Sequence, residues 1–498
     1  MKTAVKVIVG VVVTVGVLAS AGAWYTGTQV EGVVRAAVAQ ANQQLRERMV
    51  GENGPATLEV ASIERHWFST DVRYQLLLGG SRFRDAGQPL ELRFADHMEH
   101  GPLPLSRLKK LNLWPVMVAS RFVLENTPAT QPWFTATGGA APLQGEASIG
   151  YGRAAEVDLR ALPFVLEAGS TPLRFAGARM HLTSSADGGK IDSSGRLDAL
   201  QVTLDGQTGP LTLAVKGLDF SSGGSTGASG FFLGHSDAKA EQVTTQVLGH
   251  PAVELNNVSG ALLSQEVAGQ LAGQASYDIG MIRYDGKDIG SSRLSAKLGN
   301  FELAASQALL EFYRAKVEPQ AQAAAAAQAA GEPYDLRLSP TDQAQLSRYL
   351  AAWLAGKPHL ELENWSLKTA SGESQASLGL DLTDPGNFDL PPAALYQKII
   401  ANLKAQVTLS KPMVADVVTL QAQAQGLTDP AALAKQAKGT ADGLAGMAQI
   451  FGLAKVEGDN IVARLHYADG LVDFNGQKMT AEQFAGLMMA KAAQLSPR

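Results

Sequence analysis

Two short segments hold residue types capable of chemistry. Gly223-Gly-Ser225-Thr-Gly227 has the text of a hydrolase nucleophile elbow, in which a serine sits on a strained turn between a strand and a helix. The following residues, Ala228 to Gly234 (ASGFFLG), have no helical pattern, so Ser221 to Gly230 reads as a flexible Gly/Ser loop. Asp96-His97-Met98-Glu99-His100 places four potential metal ligands in five residues. On an extended chain His97 and His100 face opposite sides, and the segment reads as a polar strand end before the Gly101-Pro102 turn. The other histidines are dispersed singly, and the chain has no Walker loop, no dinucleotide-binding glycine fingerprint and no His-Glu-x-x-His. Cysteine is absent, which removes disulfides, thiol nucleophiles and Cys-ligated metals together. No catalytic, cofactor-binding or metal-binding residue is assigned, and no cofactor is expected. An enzyme would need a carboxylate pair assembled by the fold.

The elements around these segments are mostly strands. With 498 residues, 45% hydrophobic and 18% charged, the chain is globular and long enough for several cores. A net charge of −5, with no basic run beyond pairs such as Lys109-Lys110, excludes nucleic acid as a partner. Period-two alternation recurs over residues 56–302, as in Val72/Tyr74/Leu76/Leu78 and Leu211/Leu213/Val215, with a phase slip at Gly217 of the kind a β-bulge produces. Short turn dipeptides such as Asp205-Gly206 and Asp285-Gly286 leave no room for crossover helices, so the strands form an antiparallel meander. Residues 303–356 turn helical, and Pro319 is expected to kink or end its helix. Residues 357–498 mix strands and helices, ending in a helix with Thr480 as N-cap. The expected fold is β-rich α+β, a long mainly antiparallel curved sheet or sandwich with a helical insert.

At the N-terminus, Lys2 and Lys6 precede an apolar run, and Val7 to Tyr25 is 19 residues. That length makes about 28 Å of helix, enough to cross a bilayer core. Residues 1–26 are read as a single-pass anchor held by Lys6 on one side and by Trp24 and Tyr25 on the other, with the N-terminus cytoplasmic. The rival reading is a cleaved signal peptide, since Ala19-Ser20-Ala21 and Ala21-Gly22-Ala23 have the small-x-small form. Residues 27–50 continue as an amphipathic helix whose face includes Val30, Val34, Val38 and Leu45. That face either packs on the domain that follows or forms a self-association seam of a homodimer.

Four segments, in this order, carry a resemblance. They are Gly22 to Gly27 (GAWYTG) followed by Glu31, Trp67-Phe-Ser-Thr70 leading a strand, His100 to Leu105 (HGPLPL), and Tyr467 to Gly476 (YADGLVDFNG). Together they resemble the bacterial YdgA family, a domain of unknown function found in envelope proteins. The resemblance implies an inner-membrane protein with one pass and a β-rich periplasmic body, and it carries no established catalytic residues. The residues themselves suggest a non-enzymatic envelope protein that binds lipid or another amphiphile in an apolar β groove. Val60, Val72, Leu213 and Leu380 are the candidate lining. The alternative is a dimeric scaffolding protein without ligand, and a third reading is a carboxylate-dependent hydrolase.

Overall fold

The computed structural model describes residues 56–79, 89–167, 172–206, 209–226, 231–329, 337–424 and 426–495, with residues 34, 35, 38, 39, 41, 42 and 45. The segment bearing Lys6, Trp24, Tyr25 and Val30 lies outside them. Among the described residues no helix is long and apolar enough to cross a membrane. The described residues divide into two compact units, one drawn from Met1–Thr226 and Ser236–Ala252, the other from Gly227–His235 and Val253–Arg498.

The first unit is an antiparallel meander. Strands β1 (Ala56–Arg65), β2 (Ser69–Leu78), β3 (Leu90–His100), β4 (Val118–Leu124), β5 (Leu143–Ile149) and β6 (Ala155–Ala161) pair in succession. The short hairpin β7 (Phe164–Leu166) and β8 (Leu173–Phe175) leads to β9 (Ala178–Ser184), which returns beside β6. Strands β10 (Lys190–Gly206) and β11 (Gly209–Thr226) continue the sheet, and β12 (Phe232–Val247) contributes from Ser236 onward. Two short helices, α1 (Leu105–Lys109) and α2 (Gln131–Ala136), lie at opposite strand ends.

Alternation puts Leu58, Val72, Tyr74, Leu76, Leu92, Phe94, Phe122 and Leu159 on one face, where they form a closed core. Val34, Val38, Ala41 and Leu45, one helical face at i, i+4, i+7 and i+11, are buried in the same core. This face is therefore occupied within the chain, which is the packing reading; as a seam between two copies it would have to leave that core. Two tight places fix the sheet. A Cβ at Gly145 would lie 2.1 Å from the Phe122 ring, and one at Gly195 2.5 Å from the Phe220 ring, so each ring covers a glycine on the neighbouring strand.

The edge of β1 is closed by a side chain. Asn42 donates to the carbonyl of Leu58 at 2.8 Å and accepts from its amide at 2.7 Å, imitating a neighbouring strand. Asn42→Ala should therefore cost about 1–3 kcal/mol, because both backbone groups lose their partner. Asn42→Asp, which keeps only the acceptor, should fall between; denaturant unfolding of the three proteins measures the order.

Two expectations need correction here. The register between β10 and β11 is the same on both sides of Gly217, from Lys190↔Ser225 to Gly206↔Gly209 with only Asp198 and Gly217 left out of the pairing, so the slip inserts no extra residue and is not a bulge. Both strands change face together, Val202↔Leu213 giving way to Leu197↔Leu218, where Gly217 takes a left-handed φ of 61°. The Gly/Ser run is also not a loop up to Thr226. Ser221 to Ser225 pair with Ser194 to Lys190, because cross-strand hydrogen bonding needs no large side chain and hydroxyl pairs such as Ser222 Oγ to Ser236 Oγ, 2.8 Å apart, add to it.

The second unit repeats the meander plan. Strands β13 (Val253–Val267), β14 (Gln270–Tyr284), β15 (Lys287–Glu302), β16 (His359–Lys368), β17 (Glu373–Leu382) and β18 (Ile400–Ser410) pair each with the next. Short β19 (Lys455–Glu457), β20 (Asn460–Ala468), β21 (Leu471–Phe474) and β22 (Gln477–Thr480) follow, with β20 beside β18. Between β15 and β16 come α3 (Leu303–Phe312), a π-helical turn (Tyr313–Val317), α4 (Glu318–Ala329) and α5 (Pro340–Ala355). Pro319 does not end the helix, which continues from Leu303 to Ala329; the π-helical turn lies directly ahead of it, Glu318 donating to the Tyr313 carbonyl five residues back, a local widening of the kind that accommodates a ring without an amide. Helix α6 (Pro392–Ile399) precedes β18, and α7 (Lys411–Ala424) and α8 (Pro430–Ile450) pack on each other. The last helix, α9 (Ala481–Leu495), begins with a reciprocal cap between Thr480 and Gln483.

Candidate functional site

The second sheet has two unlike faces. Antiparallel partners share a face, so the registers trace rows of side chains across the strands. One row runs Tyr277, Leu294, Trp365, Ala376, Val407 and Ala463. The next runs Leu262, Ala275, Ala296, Leu362, Leu378, Ala405 and Leu465, and a third Leu298, Leu360, Leu380, Leu403 and Tyr467. Every member is apolar apart from the tyrosine hydroxyls. Such a face is ordinarily covered. Here Trp365 is 56% exposed and Leu378 41%, and Tyr277, Val407, Leu262, Leu298 and Leu360 are also exposed. Seven strands at about 4.8 Å spacing extend the face about 29 Å across the strands.

The opposite face is polar and self-paired. Arg293 donates to Asp278 at 2.7 Å, Lys297 pairs with Glu363, and Asp381 accepts from His359 at 2.6 Å and Asn402 at 2.8 Å. Asn402 and then His359 hold the Asp381 carboxyl below its ordinary range, and that carboxylate in turn raises His359. A hollow of about 800 Å³ lies on this side, lined among others by His359, Glu363, Asp381, Asn402, Lys404 and Arg464.

The residues singled out in the sequence are scattered. Leu380 lies on the open face, half-buried. Val72, 1% exposed, is in the closed core of the first unit with Val60 packed against it, and Leu213 packs against a smaller core around Phe164 and Phe175. Those three therefore line packed interiors. Ser225 sits in β11 opposite Lys190, and Thr226 after it is still strand, so the serine does not stand on the strand-to-helix turn of a nucleophile elbow. The Asp96–His100 cluster comes apart: Asp96 faces the core and accepts from Ser120 at 2.6 Å, and His97 donates outward to Asp71 at 2.6 Å. Glu99 accepts from Ser106, and His100 meets Thr70 at 3.0 Å. A grouping not visible in the sequence is Glu156, Asp158 and His181, brought within ligand distance by β6 and β9, the carboxylates exposed and the histidine half-buried and already tied to Asp158 by a 2.9 Å bond.

A family model described as "Bacterial protein of unknown function (DUF945)" matches residues 1–482. The chain belongs to this family. Within DUF945 it is 29% identical to Protein YdgA of Escherichia coli (strain K12) over 98% of this chain and 97% of that protein. It is 23% identical to the uncharacterized protein YihF of the same organism, over 95% of this chain and 97% of that one. An uncharacterized Haemophilus influenzae protein is 26% identical over 31% of this chain and 41% of its own length. No solved structure matches the DUF945 chain.

Proposed function

We propose that the chain is a non-enzymatic, membrane-anchored envelope protein of the periplasm, and that its second unit holds acyl chains of a phospholipid-class amphiphile on the open apolar sheet face. The observation that carries the reading is the three apolar rows, seven of whose large side chains stay exposed while the polar side of the same sheet is knit together. An uncovered apolar face of this extent is costly in water unless something lies on it. Its length, about 29 Å, suits extended chains, since one leaflet of a bilayer core is about 15 Å thick. The lining is light, leucine, alanine and one valine around Tyr277, Trp365 and Tyr467, which accepts chains without fixing a head group.

The test is phospholipid phosphorus per mole of chain, measured after identical purification of wild type and Leu360→Lys/Leu378→Lys. The double variant should carry distinctly less lipid while melting as the wild type does. Equal phosphorus contents would reject the reading, and so would a wild type that self-associates through this face and releases no lipid.

A further inference from the structure

The first unit bears a second apolar surface of another kind. Strand ends place three loops side by side: 66–68 between β1 and β2, 101–117 between β3 and β4, and 150–154 between β5 and β6. The backbone ties them, His100 donating to Phe68 at 2.8 Å, Gly101 to Met117 at 2.8 Å and Met117 to Ile149 at 2.7 Å. From these loops Trp67 (95% exposed), Phe68, Leu111, Leu113, Trp114 (78%) and Tyr151 point into solvent.

The largest loop is built rather than slack. Its neck closes between Val116 and Pro102, and a Cβ at Gly101 would meet the Val116 carbonyl. Glu99 accepts from both the amide and the hydroxyl of Ser106, and Asn112 Oδ1 accepts from the Trp114 amide. Helix α1 ends in a Schellman-type turn, Asn112 donating to the Arg107 carbonyl, with Leu111 at the left-handed position, φ 57°. Glycine or asparagine would be easier there. A leucine that is both left-handed and solvent-exposed is unfavourable twice over in water.

We infer that this loop cluster docks on a lipid bilayer, with its tryptophans and leucines entering the interface and its cations meeting anionic head groups. Lys109 is exposed beside the apolar tips, Lys110 next to it is paired with Glu146, and Arg65 flanks Trp67. That is positive charge next to Trp and Leu, on a chain whose net charge is −5. Val34, buried in this unit, follows Tyr25 at the end of the bilayer-length run by 9 residues, which bounds the reach at about 31 Å. The loops are knobs at strand ends and not a flat face, a shape suited to head-group depth and poor for a second protein surface. The inference is independent of the amphiphile face on the second unit.

The natural chain has no cysteine, so single-cysteine labelling is direct. Full-length Leu113→Cys carrying an environment-sensitive dye is reconstituted in vesicles of phosphatidylethanolamine and phosphatidylglycerol with shallow nitroxide-labelled lipid. Ala140→Cys, exposed beyond the opposite ends of β4 and β5, is the control. The dye at position 113 should shift to the blue and be quenched severalfold more than the control, and Trp67→Ala/Trp114→Ala should lose most of that quenching without a change in melting. Equal quenching at the two positions overturns the inference. A blue shift without nitroxide quenching also overturns it, because protein would then be covering the loops.

Discussion

Leu76→Lys should abolish folding of the first unit at neutral pH, whereas Trp365→Lys should leave the second unit melting nearly as the wild type. Leu76 is fully buried among β1, β2 and β3 partners, so an ammonium there has neither water nor a counter-charge. Burying an unpaired charge costs at least several kcal/mol, against a total stability of about 5–15 kcal/mol for a domain. Trp365 stands on the open face, where a lysine reaches solvent and the change should stay within about 1 kcal/mol. Circular dichroism melts with limited proteolysis separate the two results. Equal loss of structure in both variants would mean that the second face is a closed core.

Asp96→Asn should stabilise the protein at pH 7.5. Asp96 is buried on the core face between Val72 and Phe122, with Ser120 its hydrogen-bond donor. Desolvation pushes its pKa from 3.8 to about 6, only partly offset by Ser120. Between those values the folded state holds a proton that the unfolded state has released, so stability falls as pH rises through the window and the full penalty is present above it. At 1.36 kcal/mol per unit the shift amounts to about 3 kcal/mol. The amide oxygen can still accept from Ser120. The variant should thus exceed the wild type by up to about 3 kcal/mol at pH 7.5, with the gap closing toward pH 4. Urea titrations across that range measure it, and a less stable variant at pH 7.5 would show that Asp96 is ionised and well satisfied in the fold.

The strands were legible because alternation records which side chains share a face. Val72, Tyr74, Leu76 and Leu78 announce β2, and Leu360/Leu362 and Leu378/Leu380 announce β16 and β17. Alternation does not record whether anything lies on that face. Val72 and Leu380 have the same signature, yet one meets a helix bearing Val34, Val38 and Leu45, and the other stands in a row that is buried only at its Tyr467 end and exposed at Leu298 and Leu360. Tyr277 and Val407 escaped notice since their strands are diluted with Gly, Ala, Gln and Lys, and only the registers bring them beside Trp365. The Gly/Ser run misled for a related reason, because strand pairing through β10 and β11 is a backbone property and composition cannot report it.

The central claim is that acyl chains lie on one face of the second sheet. It is tested most directly by photo-crosslinking in growing cells, with benzoylphenylalanine in place of Val407 or of Gln406. These neighbours on β18 are both exposed and point to opposite faces. In cells labelled with radioactive phosphate, the chain carrying the crosslinker at 407 should acquire a phospholipid adduct, and the chain carrying it at 406 should not. Comparable adducts at the two positions, or a protein crosslink at 407 in place of lipid, would contradict the account.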